Sequence, residues 1–300
     1  MSGARAAILT DGLTKDYGGG RGLFDLDLEV ARGEVLGFLG PNGAGKSTTM
    51  RLLLDLIRPT AGRAWVLGFE TRAASLEIRR RVGYLPGDLA LYLKLTAGQM
   101  LEHLAALRGG VDRAHLNTLV ERFAVELDRP IADLSTGNRQ KVGLVQAFMH
   151  DPELLILDEP IAGLDPLVQQ SFHALLREVT DGGATVFLSS HTLSEVERVA
   201  DRAAILRAGR LVITESLERL RAQAIQRLEI EFAGSPPLAE LRSLPQVREV
   251  EANHRHVNIS FEGSADAIVK ALARHEVRAI RSHDDDLERI FLRYYREGEQ

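Results

Sequence analysis

Two stretches of this chain carry residues whose types and spacing could handle a chain of phosphates. The first is GPNGAGKST, residues 40–48, which fits the pattern G-x-x-x-x-G-K-[ST]. In such a string, glycines let backbone N–H groups turn inward without a side-chain clash. A helix start adds partial positive charge where an anion would sit. Gly40, Asn42, Gly43, Ala44, Gly45 and Thr48 would form the cradle. Lys46 would reach the outer phosphates, and the Ser47 hydroxyl would bind Mg2+. The second stretch is LLILDEP, residues 154–160, an apolar run that ends in two carboxylates. Taken alone, Asp158 and Glu159 could simply open a turn before Pro160. Beside a phosphate cradle they acquire a purpose. Asp158 would hold Mg2+ through its water shell, and Glu159 would orient or deprotonate a water.

These residues need strands and helices to hold them. GEVLGFLG (33–40) reads as a strand, with a helix from Lys46 to Ile57 after the glycine loop. RPTAG (58–62) reads as a turn and RAWVLGF (63–69) as the next strand. LLILD (154–158) and TVFLSS (185–190) are short apolar runs bounded by turn or polar residues, as expected of buried parallel strands. Together they predict an α/β core. Residues 96–149 read as helices only: TAGQMLEHLAALRGG stops at a Gly-Gly pair, and DRAHLNTLVERFAVEL opens on a capping aspartate. A helical insertion in the α/β core follows.

Residues 214–226 look helical and basic. Beyond them, RLEIEFAG, PLAELRSLP, VREVEANHRHVNISFEG, SADAIVKALARHE and VRAIRSH predict strand, helix, two strands, helix, strand, the ferredoxin-like order. A last helix, DDLERIFLRYYRE, carries Leu287, Ile290, Phe291 and Tyr294 at helical spacing, for docking on its own domain or on a partner. The expected division is residues 1–222, with the helical part at about 88–149, and an accessory domain at 223–300.

Composition narrows the classes. A chain of 300 residues has room for about two domains. Hydrophobic content of 45% and charged content of 26% are those of a globular protein with a sizeable core. With no cysteine there is no disulfide framework and no thiolate metal site, which fits the cytosol. A net charge of −5 gives no footprint for nucleic acid. The first 17 residues lack the apolar core of a signal peptide, and no apolar run approaches the ~18 residues that span a bilayer. Any membrane role is therefore expected through a partner.

LSTGNRQKV (134–142), just ahead of LLILDEP, resembles the LSGGQ signature of ABC ATPases. The resemblance runs through residues 134–166 and FLSSHTLSEVE (187–197) and covers about the first 220 residues. It implies a P-loop NTPase core of ABC type with an antiparallel β subdomain, ATP as ligand and Mg2+ as cofactor. LTKDYGGG matches the place where this family stacks an aromatic ring on adenine, which gives Tyr17 that role. Ser135, Thr136, Gly137 and Asn138 would act in trans, closing over the nucleotide held by Lys46 of a second subunit. Asp165 resembles the acid that links the two sites, and His191 the switch histidine that meets the γ-phosphate.

Three positions depart from the family pattern. Asn138 replaces a glutamine and keeps the amide. Ile161 replaces a common threonine, with no mechanism attached. In GYLPGDLAL (83–91), Gly87 stands where a glutamine usually reaches Mg2+ and the attacking water. Glycine can do neither, and the charge of Asp88 would repel phosphate unless Mg2+ intervened. The expectation is that water fills the gap and activity persists.

Three kinds of work fit such an ATPase: the nucleotide-binding subunit of a membrane exporter, a soluble ABC ATPase acting on DNA or ribosomes, or an ATP-gated regulatory module. A single ATPase domain argues against the ribosome-acting type, and the lack of a long coiled-coil insertion against the chromosome-maintenance type. The C-terminal region resembles the tail of ATPase subunits of drug and antibiotic exporters. The expected partners are a polytopic membrane permease subunit and a second copy or related ATPase subunit, with no nucleic acid. The expected location is peripheral, on the cytoplasmic face of the cell membrane.

Overall fold

A computed structural model describes residues 6–223 and 225–283. The helix expected at 285–297, with Leu287, Ile290, Phe291 and Tyr294, lies outside the described residues. The chain forms two compact units that divide between Thr214 and Glu215, upstream of the boundary at 222 expected from composition.

The first unit begins β1 (Ala6–Asp16), β2 (Gly22–Leu26), β3 (Glu29–Ala31), β4 (Val35–Leu39), α1 (Lys46–Leu53), β5 (Ala61–Val66), β6 (Phe69–Glu70), α2 (Ser75–Arg81) and β7 (Val82–Leu85). It continues through α3 (Ala97–Leu107), α4 (Arg113–Arg122), α5 (Thr136–Phe148), β8 (Leu154–Asp158), α6 (Pro166–Asp181), β9 (Thr185–Ser190), α7 (Leu193–Glu197), β10 (Arg202–Arg207) and β11 (Arg210–Ser216).

Its central sheet has the order β11-β10-β4-β9-β8-β7. Every pair from β10 to β7 is parallel. All residues of β4, β8 and β9 are buried, as a sheet covered on both faces requires. The register sets Leu39 beside Ser190 and Ser189 beside Asp158, so three adjacent strands end together. Ligands of open α/β sheets bind at such carboxyl ends.

A second, antiparallel sheet runs β2-β1-β5-β6, with β3 also on β1. Its Ile8, Leu13, Leu26 and Val30 share one core with Phe38, Met50, Ile156 and Phe187, which ties the two sheets together. The helical part is built on clear start signals. Thr96 and Gln99 form a reciprocal capping box on α3, and Asp112 caps α4 by accepting from Ala114 N–H.

Several boundaries differ from expectation. The helix expected to reach Ile57 stops at Leu53, because Asp55 turns into the left-handed region (φ 54) and pairs with Arg58 at 2.8 Å. RAWVLGF is two strands, broken by a turn at Leu67 (φ 53) and Gly68 (φ 87). The helix expected over 112–127 ends at Arg122, with Ala124 left-handed at φ 48.

The second unit carries α8 (Leu217–Gln223), β12 (Ile225–Phe232), α9 (Leu238–Arg242), β13 (Val247–Asn253), β14 (His256–Glu262), α10 (Asp266–Leu272) and β15 (Val277–His283). The antiparallel sheet has the order β13-β14-β12-β15. Alternate residues of its inner strands, Ile230 and Phe232 with Val257 and Ile259, form a core with Leu241 of α9 and Ile268 of α10. Both helices therefore cover one face.

Candidate active site

The cradle follows from β4, whose end leads through the loop of residues 40–45 into α1. A Cβ on Gly40 would lie 2.5 Å from the Leu206 carbonyl oxygen, so the loop leaves the strand only with glycine there. Gly45 has φ 111 and would place a Cβ 3.3 Å from the Gly22 carbonyl oxygen. No side chain caps α1, so the N–H groups of its first turn remain for a ligand.

Lys46 opens that helix and is buried. Its ammonium donates to the Gly40 carbonyl at 2.6 Å and to the Pro41 carbonyl at 3.4 Å. It also lies 3.4 Å from Glu159 Oε1. That contact is electrostatic, because this buried oxygen accepts no hydrogen bond. A buried cation and an unsatisfied carboxylate oxygen thus face one another, an arrangement that a bound polar group would complete.

The carboxylates are fixed from β9. Ser189 donates to Asp158 Oδ1 at 2.5 Å and accepts from the Glu159 N–H at 3.0 Å. One hydroxyl therefore locks both acids to the neighbouring strand. Glu159 has φ 50, a left-handed conformation that costs a non-glycine residue about 1–3 kcal/mol. Its carbonyl and that of Pro160 accept from Gln140 Nε2 at 3.3 and 3.0 Å. Its Oε2 lies 2.8 Å from His191 Nδ1, on a ring that is 57% exposed. Nearby, burial and then the Asp158 charge push the Tyr84 hydroxyl above its ordinary range, while Arg51 opposes them. Tyr84 stays a neutral group.

The cradle and the two acids line one cleft of about 550 Å3, with His191 outside its lining and joined to it through Glu159. Asn42, Gly43, Gly45, Lys46, Ser47 and Thr48 form its floor, with Asp158 and Glu159 beside them. Tyr17 stands exposed at the rim. Gly40 and Ala44 shape the loop from outside the cleft lining, and Ala44 is buried. Gly87 and Asp88 also reach the cleft. A Cβ at Gly87 would lie 3.0 Å from Asp158 Oδ2, so this position faces the acid with backbone alone.

Four signature residues and Asp165 stand apart from the cleft. Ser135 caps α5 by accepting from the Asn138 N–H at 3.2 Å, with Thr136 and Gly137 in the first turn. The Asn138 amide donates to Glu126 at 3.1 Å. Asp165 caps α6, accepting from Leu167 and Val168 N–H groups.

Ser189 and Gln140 belong to this constellation and were not picked out from sequence. Ser189 offered a faint signal, as a polar residue ending an apolar strand. Gln140 offered another, since it sits three residues after Gly137 on a helix face that is otherwise small or apolar.

Among the described residues, no group of three or more His, Cys, Asp or Glu could hold a metal ion unaided. The cleft does bring together the Ser47 hydroxyl and the Asp158 carboxylate, hard oxygen donors of the kind Mg2+ takes alongside phosphate oxygens.

A helix-borne phosphate cradle joined through a buried lysine to carboxylates two strands away defines a P-loop nucleotide hydrolase. Comparison with known proteins narrows the class. Residues 23–162 match the family model described as ABC transporter. The bacitracin transport ATP-binding protein BcrA of Enterococcus faecalis is 32% identical over 93% of this chain and 92% of its own. The daunorubicin resistance ATP-binding protein DrrA3 of Streptomyces coeruleorubidus is 39% identical over 73% of this chain and 71% of its own. A solved structure of an ATP-binding subunit of an ABC transporter superposes with a TM-score of 0.66, at 34% identity, over 72% of this chain and 92% of that one. The chain belongs to the ABC transporter family, as an ATP-binding and ATP-hydrolysing subunit.

Proposed function

We propose that two copies of this chain, or one copy and a related subunit, close on two ATP molecules and drive a separate polytopic permease that exports drugs or other amphipathic compounds. One observation carries the reading of the dimer. Ser135, Thr136, Gly137 and Asn138 form a solvent-accessible helix start away from their own cleft, where an anion held by another chain can meet it. The names of the bacitracin and daunorubicin relatives support export. Residues 1–222 act as the nucleotide-binding domain, with a helical part at about 88–149, and residues 223–300 as an accessory domain.

In this reading Tyr17 stacks on adenine, and residues 40–48 hold the phosphates with Lys46 against their outer charge. Mg2+, held by Ser47 and Asp158, would neutralise phosphate charge when bound. Glu159 orients a water and takes its proton as the water oxygen bonds to the γ-phosphorus and the bond to the ADP oxygen breaks. His191 steadies Glu159 and meets the γ-phosphate, and Asp165 links the two sites of the dimer. The subunit sits peripherally on the cytoplasmic face of the cell membrane, held by its permease. Among the described residues, no helix is long and apolar enough to cross a membrane.

The Glu159→Gln variant tests the site. With Mg-ATP it is expected to elute from gel filtration as a stable dimer that hydrolyses at least ~100-fold more slowly than the parent. A variant that stays monomeric while the parent dimerises would overturn the assigned role. Purification from membranes is expected to bring along a polytopic protein, and its absence would contradict the transport reading.

A further inference from the structure

We infer that Gln140 is a positioning residue: from the signature helix it holds the backbone turn that aims Glu159. The inference rests on Glu159 being the water-orienting acid. Glu159 cannot hold its conformation unaided, since φ 50 is uphill for a glutamate. Its N–H is fixed by Ser189, and its side chain meets His191 and Lys46. Its carbonyl and that of Pro160 accept from the Gln140 amide, which is 9% exposed. A single planar NH2 group thus spans two successive carbonyls across the bend.

The contact is part of a wider seam between α5 and the turn that follows β8. A Cβ on Gly137 would lie 2.6 Å from the Gly163 carbonyl oxygen, so the helix start rides directly on that turn. A Cβ on Gly143 would lie 2.7 Å from Leu85 and Leu89, one turn further along the helix from Gln140. The helix therefore packs closely on both the Glu159 turn and the loop that carries Gly87. A nucleotide engaged by residues 135–138 pulls on the helix that, one turn later, holds the acid of the opposite site. The partner's occupancy is thereby reported to Glu159 through Gln140.

ATP turnover by the full chain co-purified with its membrane subunit tests this. Gln140→Leu keeps the size and removes both donated bonds. It is expected to lower kcat about ten-fold or more while KM stays within about two-fold. In a Glu159→Gln background, followed by single-turnover hydrolysis, the same change is expected to cost nothing further, because both act through one group. Gln140→Glu is the second variant and carries the test if the first does not fold. Its carboxyl donates only when protonated, so its turnover relative to the parent is expected to rise between about pH 8 and about pH 6. An unchanged kcat, a raised KM alone, losses that multiply in the Glu159→Gln background, or a ratio flat with pH would overturn the inference. Full turnover by Glu159→Gln itself would instead overturn the reading of the site.

Discussion

Lys46 enters the cleft with its ammonium already held by two backbone carbonyls and a carboxylate. A triphosphate would trade the weak 3.4 Å contact with Glu159 for stronger charge pairing, and would free that carboxylate for a water. Lys46→Ala is therefore expected to weaken ATP binding ten-fold or more, about 1.4 kcal/mol, in a titration with a fluorescent ATP analogue. Unchanged affinity would contradict the cradle. Gly87 carries the second prediction at this scale. Position 87 abuts Asp158 so closely that any side chain must displace the acid slightly. The parent is expected to hydrolyse ATP with glycine there, and Gly87→Gln to change the rate by less than about ten-fold. An inactive parent rescued by glutamine would show that the missing side chain is essential. The cradle and the acids were legible in sequence because each is a local string with fixed spacing. Ser189 and Gln140 were not, because their partners lie 31 and about 20 residues away and only the fold brings them together.

Among the elements, the buried strands were the most legible, since parallel strands covered on both faces must be continuous apolar runs. β1 was the least. It contains Gly12 at φ 54, and its register shifts against both β2 and β5, so its apolar residues lose the alternation that marks a strand. The early ends of α1 and α4 were hidden for a related reason: the left-handed residues that stop them, Asp55 and Ala124, are not glycines.

The end of α5 supplies a pH prediction. His150 follows that helix and lies 3.3 Å from the Val82 carbonyl at the start of β7. Burial drives its imidazole from 6.5 down to about 4, with the Arg108 and His115 charges adding to the shift and the Val82 contact opposing it. The folded value is below the unfolded one. As pH falls from 6.5 toward 4, the unfolded chain takes a proton that the folded chain refuses, and stability is lost. The ring is partly open to solvent, so the loss is about 1–2 kcal/mol rather than the full value of the shift. Urea unfolding of His150→Gln is expected to show a flatter pH dependence across this window. An identical slope in parent and variant would contradict it.

At the scale of the whole molecule, the second unit carries a strand-helix-strand-strand-helix-strand order after α8, the order that its runs of residues predict. The proposed relation between two copies rests on resemblance to ABC ATPases alone. Among the described residues, nothing brings residues 135–138 to Lys46, and the starts of α5 and α6 are each capped by a side chain, Ser135 and Asp165. The account turns on whether the nucleotide itself joins two chains. A structure of the Glu159→Gln variant with Mg-ATP measures this directly. The expected result is a triphosphate on Lys46 of one copy with Ser135 Oγ and the N–H groups of 136–138 of its partner within hydrogen-bond reach. A triphosphate seated on Lys46 with residues 134–138 of both copies far from any phosphate would contradict it.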